Sequence, residues 1–460
     1  MTIEASEKGP RFTSGSIARH VLVMTLTGAI GMMALFMVDL ASLFLLALLK
    51  QTAVTAAMGY AASIIFFALS VALGNGVAAS ALVARSIGAG DVARARGYSA
   101  STLLFSLISS ALIAVVIVVF SGDLLSLMGA SGEARDLARS YIWTVSPGLI
   151  LFGGSLCLSA VLRGLGDARR AMYVTLAMAF VTIGLAPVLI FGLGLGIQGA
   201  AIAAALGYLA ALCFGLHGVV KVHGFLDPIR LAGLRQDIAD IWAIAYPATL
   251  SQLTVPLGTT YMTYVIAQFG DEAVAGFAVI SRLMPVTFGI ALALSSAVGP
   301  VIGQNYGAGL HRRVRSTLTQ SLVMSTAYSI SASLVLFMLA DKIAKAFNAV
   351  GEAYEEIVFF CSFLAISWIF VSALFIANAV FNNVGYPKRS AAFSWGRVTV
   401  GTVPFVYLGA EWAGWRGVHI GNALGAMLFG IFAVGFAYHV TAERTLRGKN
   451  FLTTDAQPAS

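Results

Sequence analysis

The fold class that this 460-residue sequence predicts is an all-α membrane protein: twelve transmembrane helices in two six-helix lobes, related by a pseudo-two-fold axis along the membrane normal. Composition, an internal repeat and the placement of basic residues predict it. At 59% hydrophobic and 10% charged residues, with a mean hydropathy of +0.89, nearly every segment is too apolar for water; soluble domains carry about 25% charged residues. Residues 88–96 (GAGDVARAR) return 219 positions later as residues 307–315 (GAGLHRRVR). The same shift carries Gly132 and Glu133 onto Gly351 and Glu352, and Gly166, Arg169 and Arg170 onto Gly385, Lys388 and Arg389. A shift of 218 then carries Gly199, Ala203 and Gly207 onto Gly417, Gly421 and Gly425. One hydrophobic half is written twice, the pattern of a transporter whose two bundles rock around a central site.

Apolar runs of about 20 residues cross a hydrocarbon core of about 30 Å. They fall near 20–49, 56–82, 97–121, 140–162, 171–193 and 197–220 in the first half, and near 238–268, 273–303, 316–340, 357–382, 390–409 and 417–440 in the second. The first run is too long for the core of a cleavable signal peptide, about 7 to 15 residues, and reads as a spanning helix. The division is an N-terminal tail (1–19), an N-lobe (20–220), an interlobe loop (221–240), a C-lobe (241–442) and a polar C-terminal tail (443–460) expected to be disordered. Small residues at Gly199, Ala203 and Gly207, and at Gly417, Gly421 and Gly425, form stripes that let helices approach closely in lipid.

Cytoplasmic loops collect Lys and Arg. Both tails and the even-numbered loops hold 20 of the 28 basic residues, among them Arg85, Arg94, Arg169, Arg230, Arg313 and Lys388. The odd loops hold six beside ten acids, including Asp123, Glu352 and Glu355. Both termini are thus expected in the cytoplasm, with the chain in the plasma membrane, a bacterial inner membrane. An even number of spans per half enters both halves the same way up. The +8 net charge reflects this lopsided dressing, and the partners expected are the lipid bilayer and small molecules, with no nucleic acid.

Asp39 (FMVDLASLF) is the acidic residue that these boundaries place deep in the membrane. A charge there costs about 2.5 to 3.5 kcal/mol on insertion scales and marks a functional site by default. Burial favours the neutral acid and a bound cation favours the carboxylate, so such a group trades a proton for a cation. The alternative is a buried Asp that caps a broken helix or pairs with Arg282 or Arg397, two arginines near enough to helix ends for snorkelling to explain them. Phe36 and Ser42 share the Asp39 helix face. Ser159 and its repeat mate Asn378, with Thr175, Thr182 and Gln252, are candidate cavity groups, although a hydroxyl or amide satisfied inside a helix bundle accounts for each equally well. Gly88 and Gly90, like Gly307 and Gly309, end helices in tight turns; no phosphate-loop pattern surrounds them. The three cysteines have no metal-ligand spacing, so no metal site is expected, and His217, His419 and His439 stand isolated in apolar runs, which argues against an enzyme.

The segments GxGxxxSALVARSIGAGD (74–91), VGPVIGQNYGAG (298–309), LRGLGDARR (162–170) and IFGLGLGIQGAAIA (190–203) together resemble the multidrug and toxic compound extrusion family. The resemblance implies two lobes around a V-shaped cavity and export of amphipathic, often cationic compounds against inward H⁺ or Na⁺, by a monomer without an organic cofactor. The family's first-helix aspartate matches Asp39. Its fifth-helix NxxLDP motif stands here as Thr182, Ile183, Gly184, Leu185, Ala186 and Pro187, and the sixth-helix threonine that joins its cation site corresponds to Ala204. Na⁺ wants several oxygen ligands, and Asp39 with Thr182 is a poor cage, so protons are favoured. Ser251, Gln252, Leu253 and Thr254 occupy the region where NorM-type members carry a glutamate, which leans the chain toward the DinF-like branch. A lipid-linked saccharide flippase and a major-facilitator transporter share parts of this pattern. The first is expected to hold more intramembrane arginines, and the second leaves GQNYGAG unexplained.

Overall fold

The computed structural model describes residues 10–228 and 231–442. Lys8, Arg230 and the tail after Glu443, whose disorder was expected, lie outside the described residues. Helices α1 (Ile17–Ala47), α2 (Thr52–Gly88), α3 (Val92–Leu127), α4 (Gly132–Gly164), α5 (Ala168–Gly192) and α6 (Gly196–Val222) make the first half. The second half begins with α7 (Leu231–Ile266), α8 (Asp271–Gly307), α9 (His311–Ala346) and α10 (Gly351–Asn383). Its last span, Pro387–Val440, breaks at Ala413 and Gly414, the latter at φ +60, into α11 (387–412) and α12 (415–440). Ten spans of the described residues are long and apolar enough to cross a membrane. Splitting the last and adding α7, which carries Pro247 and Pro256, completes the twelve.

Local chemistry explains where these helices start. Ser16, Asp91 and Asp167 each accept a hydrogen bond from the backbone three residues on, capping α1, α3 and α5. Asp167 also accepts from Arg170 and His223, pinning the end of α6 to the start of α5. Burial works against its charge, but these bonds outweigh it and hold the carboxyl well below the usual carboxylate range. Where Asp167 caps α5, the second half instead starts α11 with Pro387, whose ring presets the first helical φ. Helix α7 begins ten residues before the expected lobe boundary. Its first turns are polar, and Asp237 and Asp240 accept hydrogen bonds of 2.6 Å from Ser101 and Tyr98 of α3, so a hydropathy pattern does not register them.

The small-residue stripes are helix seams. Gly199 lies against the Leu189 carbonyl of α5, where a Cβ would approach to 2.7 Å, and Gly417, Gly421 and Gly425 lie against the backbone of Gly409, Phe405 and Gly401. Gly425→Leu is expected to abolish recovery of folded monodisperse protein, because backbone cannot move aside. Gly435→Leu on the same helix, with open space around it, is the control that leaves recovery unchanged.

Packing divides the molecule by depth. Toward the end of the bundle that carries the chain termini, Phe12, Ile17, Val21 and Met24 join a core made of second-half residues such as Leu294, Val298 and Phe381. Reciprocally, Ile241, Ile244 and Ala245 of α7 join a first-half core with Val83, Leu158 and Val174. The first helix of each half leans into the other half. Toward the opposite end, the cores around Leu46, Ile64 and Ile142 and around Ile280, Phe288 and Phe360 each contain residues of one half only. The lobes are therefore joined at the terminal end and splayed at the other, leaving a cleft that opens away from the termini.

Candidate functional site

The closed end of the cleft is sewn by backbone and amides. Gly88 and Gly307, at the ends of α2 and α8, abut the carbonyls of Gln304 and Arg85, so any side chain there would separate the two helices. Gly90 and Gly309 follow at φ +79 and +69, a left-handed conformation that glycine adopts without strain. Arg85 donates to the carbonyls of Asn382 and Asn383 across the interface. Gln304 and Asn305 are fully buried. The Gln304 amide donates to the Gly164 carbonyl and its oxygen accepts from the Phe12 N–H, both at 2.9 Å, while Asn305 and Arg313 donate to the Phe12 carbonyl. Residues 10–15 thus form a strap that bridges the α4–α5 turn and the α8–α9 turn. The GQNYGAG segment stands out in the sequence, but its amides acquire their role through Gly164 and Phe12, 140 and 292 residues away.

Asp39 lies in the splayed part of α1. Its side chain is exposed and makes no hydrogen bond or ion pair with a described residue. Phe36 and Ser42 flank it on α1, both half-buried, and Gln252 is half-buried on α7 between its two prolines.

The other expected cavity groups are held in helix seams. Thr182 is 1% exposed, its Oγ1 pressed against Gly207 of α6 without a hydrogen-bond partner. Thr175 donates to the Met172 carbonyl and meets Gly31 of α1, where a Cβ would come within 2.7 Å of its oxygen. Ser159 is fully buried, donating to the Ala171 carbonyl and accepting from Arg163. Its repeat mate Asn378 donates to Ser394, so each of this pair joins the fourth helix of its half to the fifth. Repeat spacing identifies such residues as equivalent but does not say which way either one points.

One pairing corrects the sequence reading. His419, expected to be isolated, has its Nε2 2.6 Å from Oε1 of Glu356, and Glu356, counted among loop acids, is wholly buried between α8, α10 and α12. The rings of Phe277 and Phe360 flank the imidazole at 5.9 and 5.5 Å, and Oε2 of Glu356 rests against Gly276. An acid and an imidazole sharing one proton are neutral as a unit, which is what an apolar lobe tolerates. Sixty-three residues separate the two, so the sequence carries no local signal of it. His419→Ala strands the carboxyl and is expected to destabilise the lobe by about 3 to 5 kcal/mol, read as a lower melting temperature in detergent, with Glu356→Gln milder.

The sequence pattern that defines the MatE family matches residues 28–188 and 247–408, once in each half and offset by 247 − 28 = 219 residues, the period of the internal repeat. An FAD transporter of Shewanella oneidensis is 29% identical over 428 residues, covering 91% of this chain and 94% of the relative. The multidrug export protein MepA of Staphylococcus aureus is 27% identical over 281 residues, 60% of each chain. The Vibrio cholerae MATE transporter VcmN in its bent form shares the fold, with a TM-score of 0.87 at 24% identity, covering 95% of this chain and 98% of that one. Twelve helices in two repeated lobes, a multi-pass membrane composition and the family pattern in both halves agree: the chain belongs to the multidrug and toxic compound extrusion family of transporters.

Proposed function

We propose that this protein exports amphipathic, cationic compounds across a bacterial inner membrane by proton antiport, as a monomer with both termini cytoplasmic. The observation that carries the reading is Asp39: a carboxyl on a membrane-spanning helix, at the open part of the cleft, with no protein partner among the described residues. In the outward-open state the carboxyl takes a proton, loses its hold on the cation, and the substrate leaves. Deprotonation on the cytoplasmic side restores the cation site. Proton coupling is preferred to sodium because Thr182, Ala186 and Ala204 stand where the family's cation site has an amide, a carboxylate and a threonine, and Thr182 is turned into the α5–α6 seam. One proton in for one monovalent cation out moves no net charge, so the pH difference alone drives the exchange.

Purified protein in liposomes tests this. An imposed pH gradient, with sodium absent, is expected to drive export of an ethidium-like cation at a rate indifferent to membrane potential; a strict requirement for Na⁺ would replace the coupling ion, and no movement under either gradient would reject drug export. A second reading, a dinucleotide such as FAD as cargo, is favoured by the Shewanella relative that aligns with nearly the whole chain, and inhibition of cation export by FAD would support it.

A further inference from the structure

Arg282 lies eleven residues into α8, exposed, and forms no hydrogen bond, ion pair or ring contact with any described residue. The opposite side of this helix, Gly276, Ile280, Met284 and Phe288, is buried inside the second lobe. Steps of three and four residues run from Arg282 through Val286, Gly289 and Ala293 along one face. That face meets α1: Gly28 packs on Ala293, and Met33 on Gly289, at Cβ distances of 3.7 and 3.5 Å. On α1, Asp39 stands eleven residues beyond Gly28, three turns, on nearly the same face. On α8, Arg282 stands eleven residues beyond Ala293 in the same direction. Each is about 16 Å along its helix from the shared contact. Beyond that contact the lobes splay and Val286 is 53% exposed. Asp39 and Arg282 therefore sit at one depth on facing walls of the cleft, opposite in charge and not joined as an ion pair.

Resting on the reading of Asp39 as the proton and cation site, we propose that Arg282 is a substrate-binding residue that takes an oxyanion, the carboxylate or phosphate of an amphipathic molecule whose cationic centre faces Asp39. A guanidinium remains charged at every working pH and presents a planar fork that fits such a group. Left without a partner at this depth it is unfavourable, and the substrate supplies the missing charge. Protonation of Asp39 removes one of two anchors, so a molecule bearing both charges is held more weakly and leaves. The same step does nothing to loosen a purely anionic compound, so the class favoured is one bearing both charges. Exchange of one proton for such a net-neutral molecule moves one charge inward. Its export gains about 2.3 kcal/mol per 100 mV, about a 50-fold steeper gradient, whereas export of a monovalent cation gains nothing.

Rhodamine B and its ethyl ester differ only in whether the carboxylate is free, and both fluoresce. In detergent, wild-type protein is expected to bind the free acid more tightly than the ester. Arg282→Gln should weaken the acid about tenfold or more and the ester less than twofold, with Arg282→Lys between them. In liposomes an inside-negative potential should accelerate export of the acid only. Equal weakening of both dyes in Arg282→Gln, or no wild-type preference for the acid, overturns the assignment. Nanodiscs with and without phosphatidylglycerol separate the two sources of oxyanion: a preference for the acid that disappears only with the anionic lipid assigns Arg282 to a headgroup and also overturns it. Asp39→Asn should weaken the ester. If it does not while the Arg282 selectivity persists, the coupling reading fails and the oxyanion site stands.

Discussion

Asp39→Asn is expected to reduce pH-gradient-driven export in liposomes to the level of protein-free vesicles, a loss of about a hundredfold or more. Asparagine has nearly the same shape but is neutral at every pH, so it neither attracts a cation nor exchanges a proton. The loss should appear in transport and not in folding. The Asp39 side chain is exposed and without a protein partner, so its replacement is expected to change stability by about 0.5 kcal/mol or less. Asp39→Glu keeps the charge on a longer stem and is expected to retain part of the activity. Wild-type export by the asparagine variant, with an unchanged melting temperature, would remove Asp39 from the mechanism.

Gly307→Val is expected to shift the conformational balance strongly. Its Cβ would fall on the Arg85 carbonyl, and the neighbouring atoms are backbone of α2 that cannot rotate away. Overpacking of this kind costs about 3 kcal/mol or more, and a change of that size moves a two-state population more than a hundredfold. The present state, closed at the terminal end, should give way to one open there and closed at the other. Spin labels at exposed Gln51 and Trp412, in a background lacking Cys157, Cys213 and Cys361, report it: the distance between the two lobes' open ends should shorten. An unchanged distance would mean that the α2–α8 crossing does not hold the cleft.

Much of this architecture is legible because the membrane imposes a simple rule. Spans must be apolar over about 20 residues, and a duplicated half shows its copy at one constant offset, which is why residues 88–96 and 307–315 locate two equivalent turns. Less is legible where polar side chains decide. The start of α7 is hidden because Asp237 and Asp240 are satisfied by α3. The Ala413–Gly414 break leaves only two residues between α11 and α12, where the hydropathy pattern suggests a longer loop. Within the site, Asp39 stands out because an acid in an apolar run is conspicuous. Thr182 does not reveal its direction, because Gly207 faces it from a helix whose rotation the repeat does not specify. Glu356 and His419 are each unremarkable alone, the first at the margin of an apolar run and the second within one.

The exchange of first helices between the halves bears on how the chain is made. Val21 and Met24 leave the ribosome about 280 residues ahead of their neighbours Val298 and Val301. At about 5 to 20 residues per second that is a wait of roughly fifteen seconds to a minute. During it the first two turns of α1 sit in lipid or in the insertion machinery without their final neighbours, while the rest of α1 can pack on α2 to α6 at once. Final assembly of the first half thus depends on synthesis of the second, so separate expression of residues 10–228 should yield an α1 that remains undocked along its first two turns.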